Sequence, residues 1–255
     1  MQTQIPHRKV TPVPEMREYP ITDVEIRHAT YSALLSNLTL APDHKQNLLD
    51  RGLTEQDISR LGYKTTPIVG MTVIAKKLLT DGFYLTGVPG FYRDASRSWT
   101  FITEKRGILI PVRDIQGRIQ GLQIRRDDVQ KRKFRWVSSA DKPDGCRAMG
   151  WTHLAGPVRP TMILTEGPMK SDIIHALSGL SVLAVPGVNA LTTLRESLTN
   201  LRNEGLYEIK TAFDMDFSTN HNVQNGYKNL LALLDEMGFR YLLIHIALNI
   251  NKFSI

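Results

Sequence analysis

The spacing of apolar positions changes part-way along the chain. From Asp23 to Leu38, residues Val24, Ile26, Ala29, Leu34 and Leu35 recur at loosely helical intervals. A second helix is predicted from Pro42, which suits a first helical turn, to Asp50, just before Gly52. Thr54, with Asp57 three residues on, predicts the cap of a third helix that Gly62 ends. Thr72–Thr80 predicts a fourth, stopped by Asp81-Gly82. Gly82–Trp99 is rich in glycine and aromatic residues and predicts irregular structure. Ile108–Val112 and Arg118–Arg125, separated by Asp114-Ile-Gln-Gly117, predict a hairpin, and Phe134–Ser138 a third strand. Asp141–Gly145 reads as a turn and Trp151–Pro160 as a link.

Beyond Pro160 the pattern becomes short apolar runs alternating with helical spacings. The run opening at Met162 stops at Glu166-Gly167, Ser181–Val185 stops at Pro186-Gly187, and a third run stops at Asp214-Met215-Asp216. Helices are predicted at about Met169–Ser178, Leu191–Asn203 and Val223–Met237, with a last strand near Tyr241–Ile246. Apolar runs bounded by Gly or Pro suit strands buried on both faces of a parallel sheet. In a βαβαβ unit consecutive strands run parallel and their C-terminal ends share one edge, where open α/β sheets bind ligands. Glu166, Asp214 and Asp216 are therefore expected to converge there. Three carboxylates in one place need a cation, and an all-oxygen donor set suits Mg²⁺. The bland alternative is that these acids are turn formers at strand ends.

Composition narrows the class. With 255 residues, 42% hydrophobic and 22% charged, the chain fits one large or two modest domains. Cys146 is the only cysteine, which excludes an intrachain disulfide and a Cys-rich zinc site and points to an intracellular, cytoplasmic protein with no disulfide-linked partner. No apolar run approaches the roughly 20 residues of a membrane helix, so no membrane partner is expected. The expected organisation is an extended proline-containing arm over 1–21, a small α+β unit of helices and a hairpin over 22–157, and an α/β parallel-sheet domain over 158–255.

The net charge of +7 fits a polyanionic partner. Arg125, Arg126, Lys131, Arg132, Lys133 and Arg135 crowd one stretch beside Phe134 and Trp136. Cations that track phosphates, with rings on which bases stack, describe a surface for single-stranded nucleic acid. A solvated hairpin edge whose charges block aggregation would look the same.

Glu166-Gly167 followed by Asp214-Met215-Asp216, each after a strand, resembles the Toprim domain shared by bacterial primases and topoisomerases. Leu48–Tyr63, Gly107–Arg126, Lys133–Ser139 and His153–Gly156 resemble, in order, the segments that precede Toprim in bacterial primases. The likeness spans roughly Leu48 to Leu234 and is nearest to primase-like Toprim proteins of plasmids and integrative mobile elements. It implies a Toprim-like parallel sheet with flanking helices, preceded by a primase-like α+β subdomain. It also implies metal-dependent nucleotidyl transfer on single-stranded DNA from nucleoside triphosphates, with a helicase or replication initiator as partner.

On this resemblance Glu166, Asp214 and Asp216 are catalytic and hold Mg²⁺ or Mn²⁺, while Arg113, Arg125, Arg126, Lys133, Arg135 and Lys170 face nucleotide or template phosphates. The chain departs from the family in three places. No zinc-binding module is recognisable; Lys170 stands where primases have an acid, with Asp172 two places later; and Tyr241–Ile255 contains no carboxylate side chain. Asp172 either takes the acid's role or decorates the helix start favourably. Two alternatives stay open: a Toprim nuclease with the same carboxylates, and a non-catalytic DNA-binding accessory module, a truncated copy.

Overall fold

The structure, a computed structural model, describes residues 19–102, 105–127, 133–186, 191–213 and 221–244, with side chains of the last segment from 224 onward. Two sheets organise it. The first has strands β1 (Lys64–Thr65), β4 (Gly107–Arg113), β5 (Ile119–Arg126) and β6 (Phe134–Trp136), all antiparallel, in the order β1-β4-β5-β6. β4 is buried along almost its whole length because it has a core on each face. Leu109 points to helices α1 (Val24–Ser36) and α4 (Met71–Thr80), whose Leu34, Leu35, Ala75 and Leu78 fill that side. Ile108 and Ile110 point the other way, to Leu48 of α2 (Pro42–Asp50) and Ile58 and Leu61 of α3 (Glu55–Leu61). The two-residue period of a strand forces this division. The expected cap of α3 is present: Thr54 N–H donates to Asp57 Oδ2 and Asp57 N–H to Thr54 Oγ1, both at 3.1 Å.

The second sheet has the order β11-β10-β8-β9-β7, from β7 (His153–Ala155), β8 (Thr161–Glu166), β9 (Val182–Val185), β10 (Glu208–Thr211) and β11 (Arg240–Leu243). β8, β9, β10 and β11 are parallel, as the crossover pattern requires. Helix α5 (Pro168–Ser178) covers one face, with Ile174 against Ile163, Val182 and Ala212. Helices α6 (Leu191–Asn203) and α7 (His221–Glu236) cover the other, placing Leu194, Leu198, Leu230 and Leu234 against Met162, Leu164 and Val185. Met169 and Ile173 of α5 also enter the Ile108–Ile110 core of the first sheet, so this helix packs against both sheets.

Three expectations need correction. Trp151–Pro160 is not merely a link: His153–Ala155 pairs antiparallel with β9, which makes the second sheet mixed rather than purely parallel and begins it ahead of residue 158. Gly82–Trp99 is not wholly irregular, since β2 (Phe91–Arg93) pairs with β3 (Trp99–Phe101) across a turn in which Asp94 Oδ1 accepts from the N–H groups of Ser96 and Ser98. Of the expected arm, residues 19–21 are anchored: Tyr19 N–H donates to Gly145 O at 2.9 Å, and Thr22 N–H next to them to Gly87 O. Among the described residues no helix is long and apolar enough to cross a membrane.

Candidate active site at the rim of the parallel strands

Glu166 is the last residue of β8, which lies between β9 and β10. Its parallel partner is Val185, the last residue of β9. On the other side Thr211 pairs with Leu164, and Ala212 N–H continues the ladder to Leu164 O at 2.8 Å. The same register, carried forward, brings Phe213 to the level of Glu166. Three parallel strands thus end at one rim. Asp214 and Asp216 lie outside the described residues.

Gly167 explains why Glu is followed by Gly. Its φ of 76° and ψ of 130° lie where a side chain is disfavoured, and that turn redirects the chain from β8 into α5. Gly167 N–H donates to Val185 O at 3.0 Å, fixing the turn to the neighbouring strand. One helical turn on, Lys170 Nζ approaches Glu166 Oε1 at 2.9 Å, both side chains being partly buried. A fixed ammonium therefore sits against the carboxylate expected to be catalytic.

Asp172 does not reach that rim. It is 3% exposed, and its carboxylate accepts from Tyr63 O–H at 2.6 Å through Oδ2 and from the His153 ring at 3.0 Å through Oδ1. Of its two expected roles, neither that of the missing acid nor that of an exposed helix-start charge fits this placement. Arg113 is also engaged inside the fold. Its N–H donates to His153 Nδ1 at 2.9 Å, and its guanidinium donates to Gly117 O at 3.0 Å and Leu61 O at 3.4 Å. Burial lowers the Arg113 pKa, and nearby Asp172 opposes that shift.

The basic stretch divides. Arg125 and Arg126 are neighbours on β5, so their side chains leave opposite faces of the strand. Arg126 lines a cavity of about 330 Å³ with Lys105, Arg135 and Arg147, over an apolar floor of Leu109 and Ile124. Trp136 follows Arg135 on β6, so its ring leaves the opposite face, where it lies edge-on to Trp151 at 5.5 Å between ring centroids. Trp151 lies so close to β5 that a Cβ on Gly121 would come within 2.5 Å of its ring. Lys133 O accepts Arg126 N–H at 2.8 Å, while the Lys133 side chain is half-buried. On the opposite face Arg125 neighbours Arg51, which follows α2. Burial first, and then the Arg125 charge, bring the Arg51 pKa down to about 10. Sequence reasoning did not single out Arg51, Lys105 or Arg147, because no spacing links residues so far apart in the chain.

No protein-family model and no curated protein sequence matches this chain. Solved structures do. An Aquifex aeolicus primase comprising zinc-binding and RNA polymerase domains superposes with a TM-score of 0.66 at 15% identity, covering 92% of this chain and 59% of that one. The RNA polymerase domain of Mycobacterium tuberculosis primase DnaG gives 0.63 at 16%, over 88% of this chain and 76% of that one. A DnaG primase catalytic domain bound to single-stranded DNA gives 0.59 at 14%, over 87% and 73%. The fold is that of bacterial primase catalytic cores.

Within this primase fold, Glu166 ends the central strand of the second sheet, and the two faces of β5 present the cations of the first. Among the described residues no three His, Cys, Asp or Glu side chains gather closely enough to hold a metal ion. Glu166 offers hard oxygen donors of the kind Mg²⁺ or Mn²⁺ prefers.

Proposed function

We propose that this chain is a primase-like nucleotidyltransferase that acts on single-stranded DNA, in the replication of a mobile element. The observation that supports it most is the superposition of 92% of the chain on a bacterial primase. Glu166 together with Asp214 and Asp216 would hold Mg²⁺ or Mn²⁺, which when bound supplies charge neutralisation for the transferring phosphate. Glu166 would orient that centre, and Lys170 would pass from Glu166 to an incoming phosphate oxygen. The cavity ringed by Lys105, Arg126, Arg135 and Arg147 would take phosphates of template or nucleotide. Arg51 and Arg125 form a second like-charged pair whose repulsion an anion relieves. Arg113 would brace the sheet rather than touch phosphate.

The experiment is incubation of the chain with a single-stranded template, nucleoside triphosphates and Mn²⁺. Extension products that vanish in Asp214→Asn support this reading. Strand scission instead of extension would assign the same carboxylates to a nuclease. A chain that binds DNA equally well with and without Asp214 and Asp216, and turns nothing over, is a binding module, and the catalytic reading is then wrong.

A further inference from the structure

Helix α5 carries Lys170 and starts two residues after Glu166, the end of β8, and it buries one carboxylate between the two sheets. Asp172 lies on its second turn and is 3% exposed; Tyr63 and His153, its two hydrogen-bond donors, are 2% and 1% exposed. Tyr63 follows Gly62, the left-handed residue that ends α3, and so belongs to the first sheet's helical layer. His153 is in β7, the antiparallel edge of the second sheet. A backbone N–H can only donate, so the bond from Arg113 N–H makes His153 Nδ1 an acceptor and puts the ring proton on Nε2, facing Asp172 Oδ1. The chain of contacts therefore runs from β4 through His153 to α5, and from α5 through Tyr63 to α3.

We propose that Asp172 is a positioning residue that locks the Glu166–Lys170 turn to the basic first sheet; the proposal rests on the nucleotidyl-transfer reading for its catalytic consequence. A buried carboxylate is costly unless its oxygens are satisfied and a positive charge is near. Two donors satisfy Asp172, and the Arg113 guanidinium supplies the charge. Taking away one donor leaves the remainder of a buried polar group searching for a partner, which loosens α5 rather than emptying the core. Because Glu166 precedes α5 by two residues, that looseness reaches the catalytic rim directly, while the cavity around Arg126 and Arg135 does not depend on it.

The test uses the full chain with Asp172→Asn and, as the milder change, Tyr63→Phe, which keeps the ring. Hydrogen exchange and steady-state nucleotide incorporation are measured on the same preparations. We expect exchange of the α5 amides and of the Arg113 amide to rise about tenfold, with the β8–β9 ladder unchanged. We expect kcat to fall about tenfold while nucleotide KM and DNA affinity stay within about twofold, since a small misplacement costs rate more than binding. If Asp172→Asn fails to fold, Tyr63→Phe decides the matter. Unchanged exchange in α5 together with unchanged kcat overturns the proposal, as does a loss confined to KM. A wild-type chain with no incorporation sinks the enzymatic reading alone, and the exchange result then decides whether Asp172 is the lock.

Discussion

Lys170 Nζ stands 2.9 Å from Glu166 Oε1, one turn into the helix that Glu166 introduces. On the metal-binding role proposed for Glu166, an ammonium at that distance would compete with a cation for the carboxylate. Glu166 is held by an ammonium. On the nucleotidyl-transfer reading, a metal ion would have to displace or coexist with that charge, and a substrate phosphate would give the ammonium somewhere to go.

Lys170→Met should therefore tighten Mn²⁺ binding in the absence of substrate, by roughly tenfold for a like charge this close in a partly screened setting. The same change should raise the nucleotide KM, because the phosphate loses its partner. Calorimetric titration with Mn²⁺ gives the first quantity. An affinity that is unchanged or weaker would show that Lys170 exerts no repulsion on the ion.

Glu166→Gln should abolish turnover with little loss of stability. The side chain is half-buried at a strand end, and a partly exposed ion pair of this kind contributes no more than about 1 kcal/mol. Thermal unfolding and incorporation assays separate the two effects. A fall in Tm of about ten degrees or more, by the usual relation of about 2–4 °C per kcal/mol in a chain of this size, would make Glu166 a structural residue.

The basic stretch should behave as two surfaces, not one. Arg126 and Arg135 share a cavity, so Arg126→Ala with Arg135→Ala should reduce the salt slope of single-stranded DNA binding by about 1.4, at roughly 0.7 for each phosphate left without its cation. Arg125→Ala should subtract a further, independent decrement, because its side chain leaves the opposite face. A slope that does not change in the double variant would return that cavity to a merely solvated face.

How much of this was legible in the sequence depended on the range of the signal. Pro42, Thr54 and Gly62 act within a turn of themselves, and α2 and α3 have the bounds those residues imply. The alternation of apolar runs and helical spacings gave the βαβ order, because each run is closed by Gly, Pro or an acid and each helix is long enough to show a period. β7 was missed because His153-Leu-Ala is three residues long and opens with a polar residue whose burial depends on Asp172 and Arg113. Asp172 itself read either as the acid that Lys170 displaces or as a helix-start charge. Its donor Tyr63 is 109 residues away in the chain, and no local pattern encodes that meeting. Arg125 and Arg126 read as one patch until strand geometry sent them apart.

Gly121 gives a test of the first sheet that is independent of function. A Cβ there would lie 2.5–2.6 Å from the Trp151 ring, whose other neighbours are Trp136 and the Arg27 guanidinium at 4.9 Å. Gly121→Ala should cost about 1–3 kcal/mol, as overpacking in a filled site usually does. Denaturant unfolding followed by tryptophan fluorescence would read it. A variant as stable as the parent would mean that Trp151 does not rest on β5 in solution.

Two buried phenols should each withdraw stability from the fold at alkaline pH. Burial pushes the Tyr63 hydroxyl well above its ordinary pKa, and the neighbouring Asp172 carboxylate raises it further. Burial likewise raises Tyr31, which donates to Pro89 O at 2.8 Å. A pKa raised by folding means that the folded state holds its proton while the unfolded chain has released it. That contribution is complete below the ordinary phenol value of about 10 and drains away as pH rises from there toward the folded-state value. Unfolding free energy measured in urea should therefore be steady on this account between about pH 8 and 9 and fall above about pH 10. Tyr63→Phe has no phenol to ionise at that site, so its decline at high pH should be shallower than that of the parent, even though its stability near neutral pH is lower. Parallel declines in parent and variant would show that Tyr63 is not buried against Asp172.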